Sequence, residues 1–325
     1  MAQVFFDLVS SFGSCLNCFP SSPTLKVNSR SFKILRLLGE GGFSYVYLVQ
    51  DTSTSELFAL KKIRCPFGAE SVAQAMKEVE AYKLFAHSAG VIHSVDYAIA
   101  TERGGGEQTK TVYVLLPYYR RGNLQDMINA NLVNHARFPE KRLMLLFLGV
   151  SNIMISDSGT EPIIMDLGSV AVSPLPITSR SIAIATQDTA AEHSTMPYRA
   201  PELFDVKTGT VIDTKVDIWS LGCTLYACLV GKSPFEMRSD ETGGSLSICV
   251  LSGDWRFPDE GPGGKPKSKG KGPAAAAADD EAISEPIREV VRGCLKVEPA
   301  ERPDIDELIA MVERVVEELP EDGSA

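Results

Sequence analysis

Apolar and polar positions change rhythm partway along this chain. From Ser31, the segment FKILRLLGEGGFSYVYLVQD sets two apolar runs around a glycine cluster, and ELFALKKIRC adds another short run. Both read as β-strands. Ala73 to Phe85 reads as a helix, with Val72, Ala75, Met76, Val79 and Leu84 at mixed three- and four-residue spacing. Strand-like runs at Val91–Ile99 and Thr111–Pro117 flank a glycine-rich turn at Gly104–Gly106. After Tyr118 the pattern turns helical. It ends in EPIREVVRGCLKVEPAERPDIDELIAMVERVVEEL, two helices broken between Pro299 and Pro303. Five strands and one helix ahead of a mostly helical remainder predict an α+β fold, a small sheet lobe joined to a larger helical one.

These changes divide the chain. Residues 1–30 form a leader rich in Ser, Phe and Cys with no sustained period. The sheet lobe takes 31–117, the helical lobe 118–318, and a short tail 319–325. Within the helical lobe, GPGGKPKSKGKGPAAAAADD (261–280) has almost nothing apolar to bury and predicts a solvated insert, bounded at 259–281.

Composition narrows the class. A chain with 44% hydrophobic and 23% charged residues is that of a globular protein. A net charge of -10 without a local Lys/Arg stripe argues against nucleic acid as a partner. The stretch Ile218–Gly231 contains Ser220 and Thr224 and is shorter than the roughly 18–20 residues needed to cross a bilayer. MAQVFFDLVSSF lacks a basic leader and carries Asp7, unlike a secretory signal. Cys65, Cys223, Cys228, Cys249 and Cys294 sit singly in apolar or mixed settings, the pattern of buried reduced thiols. Cys15 and Cys18 form a lone CxxC with no second pair to complete a zinc site.

Three groups carry candidate chemistry. Gly39-Glu-Gly41-Gly42-Phe43-Ser44 lies between two strand-like runs, where glycines let backbone N–H groups approach phosphate oxygens. A tight hairpin would use the same residues. Lys61 stands within an apolar strand and Glu78 within the predicted helix, a pairing that could hold phosphate or be a surface ion pair. Asp166-Leu-Gly168 follows the apolar run Ile163-Ile-Met165, and an acid ending a strand beside glycine suits Mg²⁺. Asn152, ahead of Ile153-Met-Ile155, could add an oxygen ligand or serve a turn.

The ordered set then extends through Ala200-Pro-Glu202, Asp217-Ile-Trp-Ser-Leu-Gly222 and Arg302 before Pro303. Taken together, the set resembles a eukaryotic protein kinase domain over residues 31–318. LGEGGFSYVYLV, FALKKI, LLPYYRRGNL, IIMDLGS and YRAPELF are similar to the Numb-associated kinase group, and within it to the small lipid-anchored Golgi or vacuole serine/threonine kinases. The resemblance implies a bilobal fold that binds ATP and Mg²⁺ and phosphorylates protein Ser/Thr. It implies nucleotide contacts from Leu38, Gly39, Gly41, Gly42, Phe43, Ser44, Val46, Ala59 and Lys61, with Glu78 holding Lys61. Leu116 takes the gatekeeper position, with Pro117 and Tyr119 at the adenine. Asp166 and Asn152 take the metals. Thr195-Met-Pro-Tyr198 resembles the loop that receives the substrate residue, and Glu202, Asp217, Trp219 and Arg302 are implied to be structural.

One family element is missing. The His-Arg-Asp-x-Lys-x-x-Asn loop has no counterpart: twelve residues (140–151) separate Pro139 from Asn152, where the pattern needs roughly thirty. None of His87, His93, His135 or His193 precedes Arg-Asp, and neither Asp126 nor Asp157 is placed to substitute. Loss of a positioned general base removes about 10²–10⁴-fold in rate. The shortened core helix is expected to weaken the helical lobe, and Asp217 to become a buried acid without its partner. Two readings follow: a spliced or wrongly assembled form of an active kinase, or an ATP-holding pseudokinase scaffold. The family branch is acylated near its N-terminus, which makes Cys15 and Cys18 candidate palmitoylation sites and implies peripheral attachment to Golgi or vacuole membranes. Ala2 after Met1 rules out N-myristoylation at this start.

Overall fold

Leu25, Val27 and Phe32 are buried between exposed or half-buried neighbours, and this alternation starts the sheet. The computed structural model describes residues 24–88, 90–104, 107–134, 136–147, 153–156, 162–261 and 283–320. Cys15, Cys18, His135, Asn152, Asp157 and residues 262–281 of the insert lie outside them. Two compact units emerge, one formed by the chain up to Arg121 together with Met154–Val170, the other by Gly122–Ile153 and Ala171 onward.

In the first unit, β1 (Thr24–Val27), β2 (Arg30–Glu40), β3 (Ser44–Asp51), β4 (Leu57–Cys65), β5 (Asp96–Gly104) and β6 (Glu107–Pro117) form an antiparallel sheet ordered β1-β2-β3-β4-β6-β5. The sheet thus has six strands rather than five. β1 lies inside the expected leader, where a four-residue run was too short to register as a strand. The strand expected from Val91 begins at Asp96. Val91 instead makes an isolated parallel bridge to Ile164.

The two faces of the sheet differ. Phe32, Val49, Phe58, Leu60, Tyr113 and Leu115 join Leu25 and Val27 in one cluster. Asn28 closes the sheet's margin, its Nδ2 donating to Asp96 Oδ1 at 2.9 Å and to the Tyr97 carbonyl at 3.0 Å. The opposite face carries Val112, Val114 and Leu116 and packs on Ala75, Val79 and Tyr82 of α1 (Ala69–Leu84). That helix starts a turn earlier than the apolar spacing suggests, because its first residues are exposed. Beneath it β7 (Ile153–Ile155) pairs with β8 (Pro162–Ile164). Ile92 N–H donates to the Ile164 carbonyl at 2.7 Å, and Ile164 N–H to the Gly90 carbonyl at 2.8 Å. These bonds fix the strand that ends just before Asp166.

The second unit holds α2 (Leu124–Val133), α3 (Glu140–Phe147), the short pair β9 (Leu175–Pro176) and β10 (Val211–Ile212), and α4 (Arg180–His193). It continues with α5 (Lys215–Val230), α6 (Pro234–Thr242), α7 (Leu246–Ser252), α8 (Glu285–Cys294) and α9 (Ile305–Glu318). The central helix is α5, in which Trp219, Cys223, Leu225 and Tyr226 are fully buried. Gly222 allows α8 to approach it: a Cβ there would come within 2.5 Å of Cys294 Cβ. The described part of α3 buries Leu143, Met144, Leu146 and Phe147. Glu140 accepts from Ser284 N–H at 2.9 Å and Lys141 donates to the Leu319 carbonyl at 3.4 Å, tying α3 to the C-terminal helices. Asp259 and Glu260, placed by sequence in the insert, are bonded to Arg288. The five cysteines expected to be buried thiols are free and buried. Among the described residues no helix is long and apolar enough to cross a membrane.

Candidate functional site

Strand alternation decides where Lys61 points. Phe58 and Leu60 of β4 face the cluster that holds Leu25, Val27 and Phe32, so Ala59, Lys61 and Ile63 face α1. Register carries this face across the sheet. Val46 pairs with Lys61 and Lys61 with Val114, while Leu48 pairs with Ala59 and Ala59 with Leu116. Val46, Ala59, Lys61 and Leu116 therefore line one side of three adjacent strands. Pro117 pairs with Phe58 at the end of β6, and Tyr119 packs at the edge of the α1 cluster.

From α1, buried Glu78 reaches Lys61. The Lys61 ammonium donates to Glu78 Oε1 at 2.8 Å and Oε2 at 2.9 Å, and to Asp166 Oδ1 at 3.0 Å. Burial works against the ammonium, but the charges of Glu78 and Asp166 outweigh it, and the Lys61 pKa is raised. Sequence reasoning missed Tyr82, whose hydroxyl donates to Glu78 Oε1 at 2.6 Å. The signal was available: Tyr82 stands four residues after Glu78 and shares its helix face. Burial first, then the Glu78 charge, raises the Tyr82 pKa far above that of a free phenol.

Asp166 follows β8 and enters a 3₁₀ turn, Leu167–Ser169, with φ 60° and ψ 63°. This left-handed conformation costs a non-glycine residue about 1–2 kcal/mol, and Asp is among the few that visit it. From this turn the carboxylate reaches Lys61 while staying exposed. Gly168 sits where a Cβ would lie 3.3 Å from Glu78 Oε2, so the turn nests against the ion pair.

Gly41 N–H donates to the Ser44 carbonyl at 2.8 Å, closing a tight turn between β2 and β3, and Arg64 N–H donates to the Phe43 carbonyl at 2.8 Å. Leu38, half-buried, is the extra residue of a β-bulge between Leu37 and Gly39. Nothing lies within 4 Å of a Cβ built on Gly39 or Gly42, so both glycines leave open space above the strands. Phe43 is exposed at the tip, its ring edge-on to Phe67 at 6.5 Å.

The donor set suits a magnesium nucleotide. Among the described residues only one carboxylate oxygen of Asp166 has a partner, leaving the other for a metal that takes one or two carboxylates plus phosphate oxygens. No group of three or more His, Cys, Asp or Glu residues that would bind a metal by protein ligands alone occurs among the described residues.

In the second unit, Arg302 bonds both oxygens of Glu202. Asp217 departs from expectation: on the first turn of α5 its carboxylate reaches the surface, although surrounding protein still raises its pKa by desolvation. Thr195 is also exposed, and Met196–Tyr198 form a 3₁₀ turn in which Ser220 Oγ donates to the Tyr198 carbonyl at 2.9 Å. A cavity of about 540 Å³ in this unit, between Leu132, Leu229, Met237 and Ile283, contains none of the predicted site residues.

The protein kinase domain family matches this chain in two stretches, residues 32–150 and 148–312. Serine/threonine-protein kinase ppk13 of Schizosaccharomyces pombe is 31% identical, over 88% of this chain and 91% of its own length. Serine/threonine-protein kinase ENV7 of Saccharomyces cerevisiae is 31% identical, over 96% of this chain and 99% of its own. Serine/threonine-protein kinase 16 of Mus musculus is 30% identical across 322 aligned positions that take in 93% of this chain and 96% of the mouse protein. With its antiparallel sheet unit and helical unit, the chain belongs to the protein kinase family, among serine/threonine kinase relatives.

Proposed function

We propose that this chain binds Mg-ATP through its sheet unit and, lacking the catalytic loop, transfers phosphate to protein Ser/Thr poorly or not at all. The observation that carries the binding reading is Lys61 held between buried Glu78 and exposed Asp166. The ammonium is fixed, charged and aimed to meet the α- and β-phosphates. Gly39 to Ser44 would cover those phosphates with backbone N–H groups. Asp166 would hold Mg²⁺, which supplies charge neutralisation at the phosphates, and Asn152 is the candidate for a second metal. Ala59, Val46 and Leu38 offer an apolar surface for the adenine, with Leu116, Pro117 and Tyr119 along its edge.

Impaired transfer is supported by the sequence between Pro139 and Asn152, which is too short for a His-Arg-Asp loop. The family match breaks and restarts at 148–150, within that stretch. The alignment to the mouse kinase is 322 positions long yet uses 93% of 325 residues here, so the mouse protein has residues without counterparts in this chain. Similarity to kinases of the Numb-associated group extends the proposal to peripheral membrane attachment, with acylation at Cys15 and Cys18. Retained acyl-exchange labelling in a Cys15→Ser/Cys18→Ser double mutant would remove that part.

The test is a pair of measurements. Thermal unfolding with Mg-ATP should give a concentration-dependent rise in Tm, and Asp166→Asn should lose the part that requires Mg²⁺. ADP release with a peptide substrate should stay near background. A Tm unmoved by nucleotide removes the binding reading, and sustained ADP release removes the impairment. Binding without transfer, in a chain whose native transcripts carry only this junction, favours the scaffold reading.

A further inference from the structure

Two phenylalanines meet at the edge of the candidate nucleotide site. Phe43 stands in the turn that carries Gly41 and Gly42, and Phe67 follows β4, just ahead of α1. Their ring centroids are 6.5 Å apart at an interplanar angle of 70°, the edge-to-face arrangement that aromatic pairs favour. Each ring is otherwise wet: Phe43 is 57% exposed and Phe67 73%. Neither belongs to the core of the sheet unit. We propose that Phe67 is a positioning residue for the glycine turn: it gives the Phe43 ring a fixed seat at the start of α1, and so sets how the backbone N–H groups of the turn lie over the phosphates.

The turn is held from two sides. On one, Arg64 N–H of β4 donates to the Phe43 carbonyl at 2.8 Å, and Gly41 N–H donates to the Ser44 carbonyl at 2.8 Å. Little else restrains it, because nothing lies within 4 Å of a Cβ built on Gly39 or Gly42, and glycine backbone has many conformations open to it. Phe67 supplies the second hold. Its N–H donates to Ser71 Oγ on the first turn of α1 at 3.1 Å, and Val72 N–H donates to the Gly68 carbonyl at 3.2 Å. Phe67 is thereby fixed to the helix that carries Glu78. The ring contact joins the turn expected to cover the phosphates to the helix that orients Lys61.

The inference about nucleotide rests on the proposed Mg-ATP reading, and two readouts separate them. Phe67→Ala removes the seat at an exposed position and leaves the core intact. Without ligand, NMR order parameters of the Gly42 and Phe43 amides should fall in this variant towards the flexible range, below about 0.6. Mg-ATP affinity should drop about two- to tenfold, the scale of one aromatic pair, while adenosine, which has no phosphate for the turn to cover, binds as before. Phe67→Tyr keeps the ring and should recover both. In a Phe43→Ala background, Phe67→Ala should weaken Mg-ATP no further, since its partner is already gone. Unchanged order parameters in Phe67→Ala overturn the proposal, whatever the nucleotide data show. Additive losses from the two alanine changes, or equal losses for ATP and adenosine, overturn it as well. If the unmodified chain binds no nucleotide, the functional reading fails, and the order parameters still decide whether Phe67 seats the turn.

Discussion

Arg302 grips Glu202 from a hundred positions away, its two terminal nitrogens 2.7 and 2.8 Å from the two carboxylate oxygens. Its remaining capacity is used as well: Nε donates to the Lys296 carbonyl, and the terminal nitrogens to those of Lys215 and Val297, at 2.7 to 2.9 Å. The guanidinium lies over the Trp219 ring at 4.9 Å. No part of the Arg302 side chain reaches water. Glu202→Gln should therefore leave a buried cation uncompensated and cost about 3–5 kcal/mol. Urea unfolding checks this through a lower midpoint at unchanged slope. A loss under 1 kcal/mol would show that the carbonyls alone satisfy the arginine.

Asp51 gives the sheet unit an acid-sensitive point. Its carboxylate accepts from the Ser53 hydroxyl at 2.6 Å, the Ser53 N–H at 2.8 Å and Arg30 Nε at 2.8 Å. These bonds, Ser53's first, hold its pKa well below the usual 3.8. A depressed folded-state pKa contributes stability that is present above the unfolded value and lost as pH falls through the folded one. The contribution is complete at neutral pH and fades below 3.8. Asp51→Asn should lower stability at pH 7 and flatten its decline under acid. Parallel acid limbs for the two proteins, measured by urea unfolding across pH, would place the sensitivity elsewhere.

Arg288 joins the two borders of the low-complexity segment. It bonds both Asp259 oxygens, at 2.6 and 2.9 Å, on one side and the Ile283 carbonyl, at 2.9 Å, on the other, and covers the Phe257 ring at 4.6 Å. Arg288→Met should cost about 1.5–3 kcal/mol, the range for hydrogen bonds to a charged group. Arg288→Lys should recover little of this, because an ammonium cannot reproduce the planar fork. Full recovery by lysine would mean that charge alone matters.

How much of this was legible depended on how local the signal was. Lys61, Glu78 and Asp166 could be nominated because each sits in a distinctive short pattern, and the structure gathers them within 3.0 Å. Tyr82 carries no motif and looks like an ordinary apolar helix residue until its neighbours are placed. α4 was missed because of its fourteen residues only Ala183 is buried, so no apolar stripe announces it. Its one cue was Ser179, whose side chain accepts from Ile182 N–H as an N-cap. β1 was too short to show a period. Asp217 was expected to be a buried acid because the family resemblance pairs it with the absent loop, whereas the first turn of α5 delivers it to the surface.

The shortened stretch after α3 makes the sharpest prediction. Val150 and Ser151 are adjacent in this sequence, and the family pattern asks for roughly twenty more residues there, carrying His-Arg-Asp. Inserting such a segment from a serine/threonine kinase relative should restore peptide phosphorylation by about 10²–10⁴-fold, the contribution of a positioned base. The same insert with its aspartate changed to asparagine should bind Mg-ATP equally well yet stay near the unmodified rate. Stability should also rise if the added residues bury further apolar side chains, at about 1.5–3 kcal/mol each. If the extended protein folds and binds nucleotide but transfers no phosphate, the defect lies outside the missing loop. Sequencing native transcripts across the Val150–Ser151 junction then separates the two histories: a longer transcript marks this chain as a by-product of an active kinase gene, and a single short one supports the proposed scaffold reading.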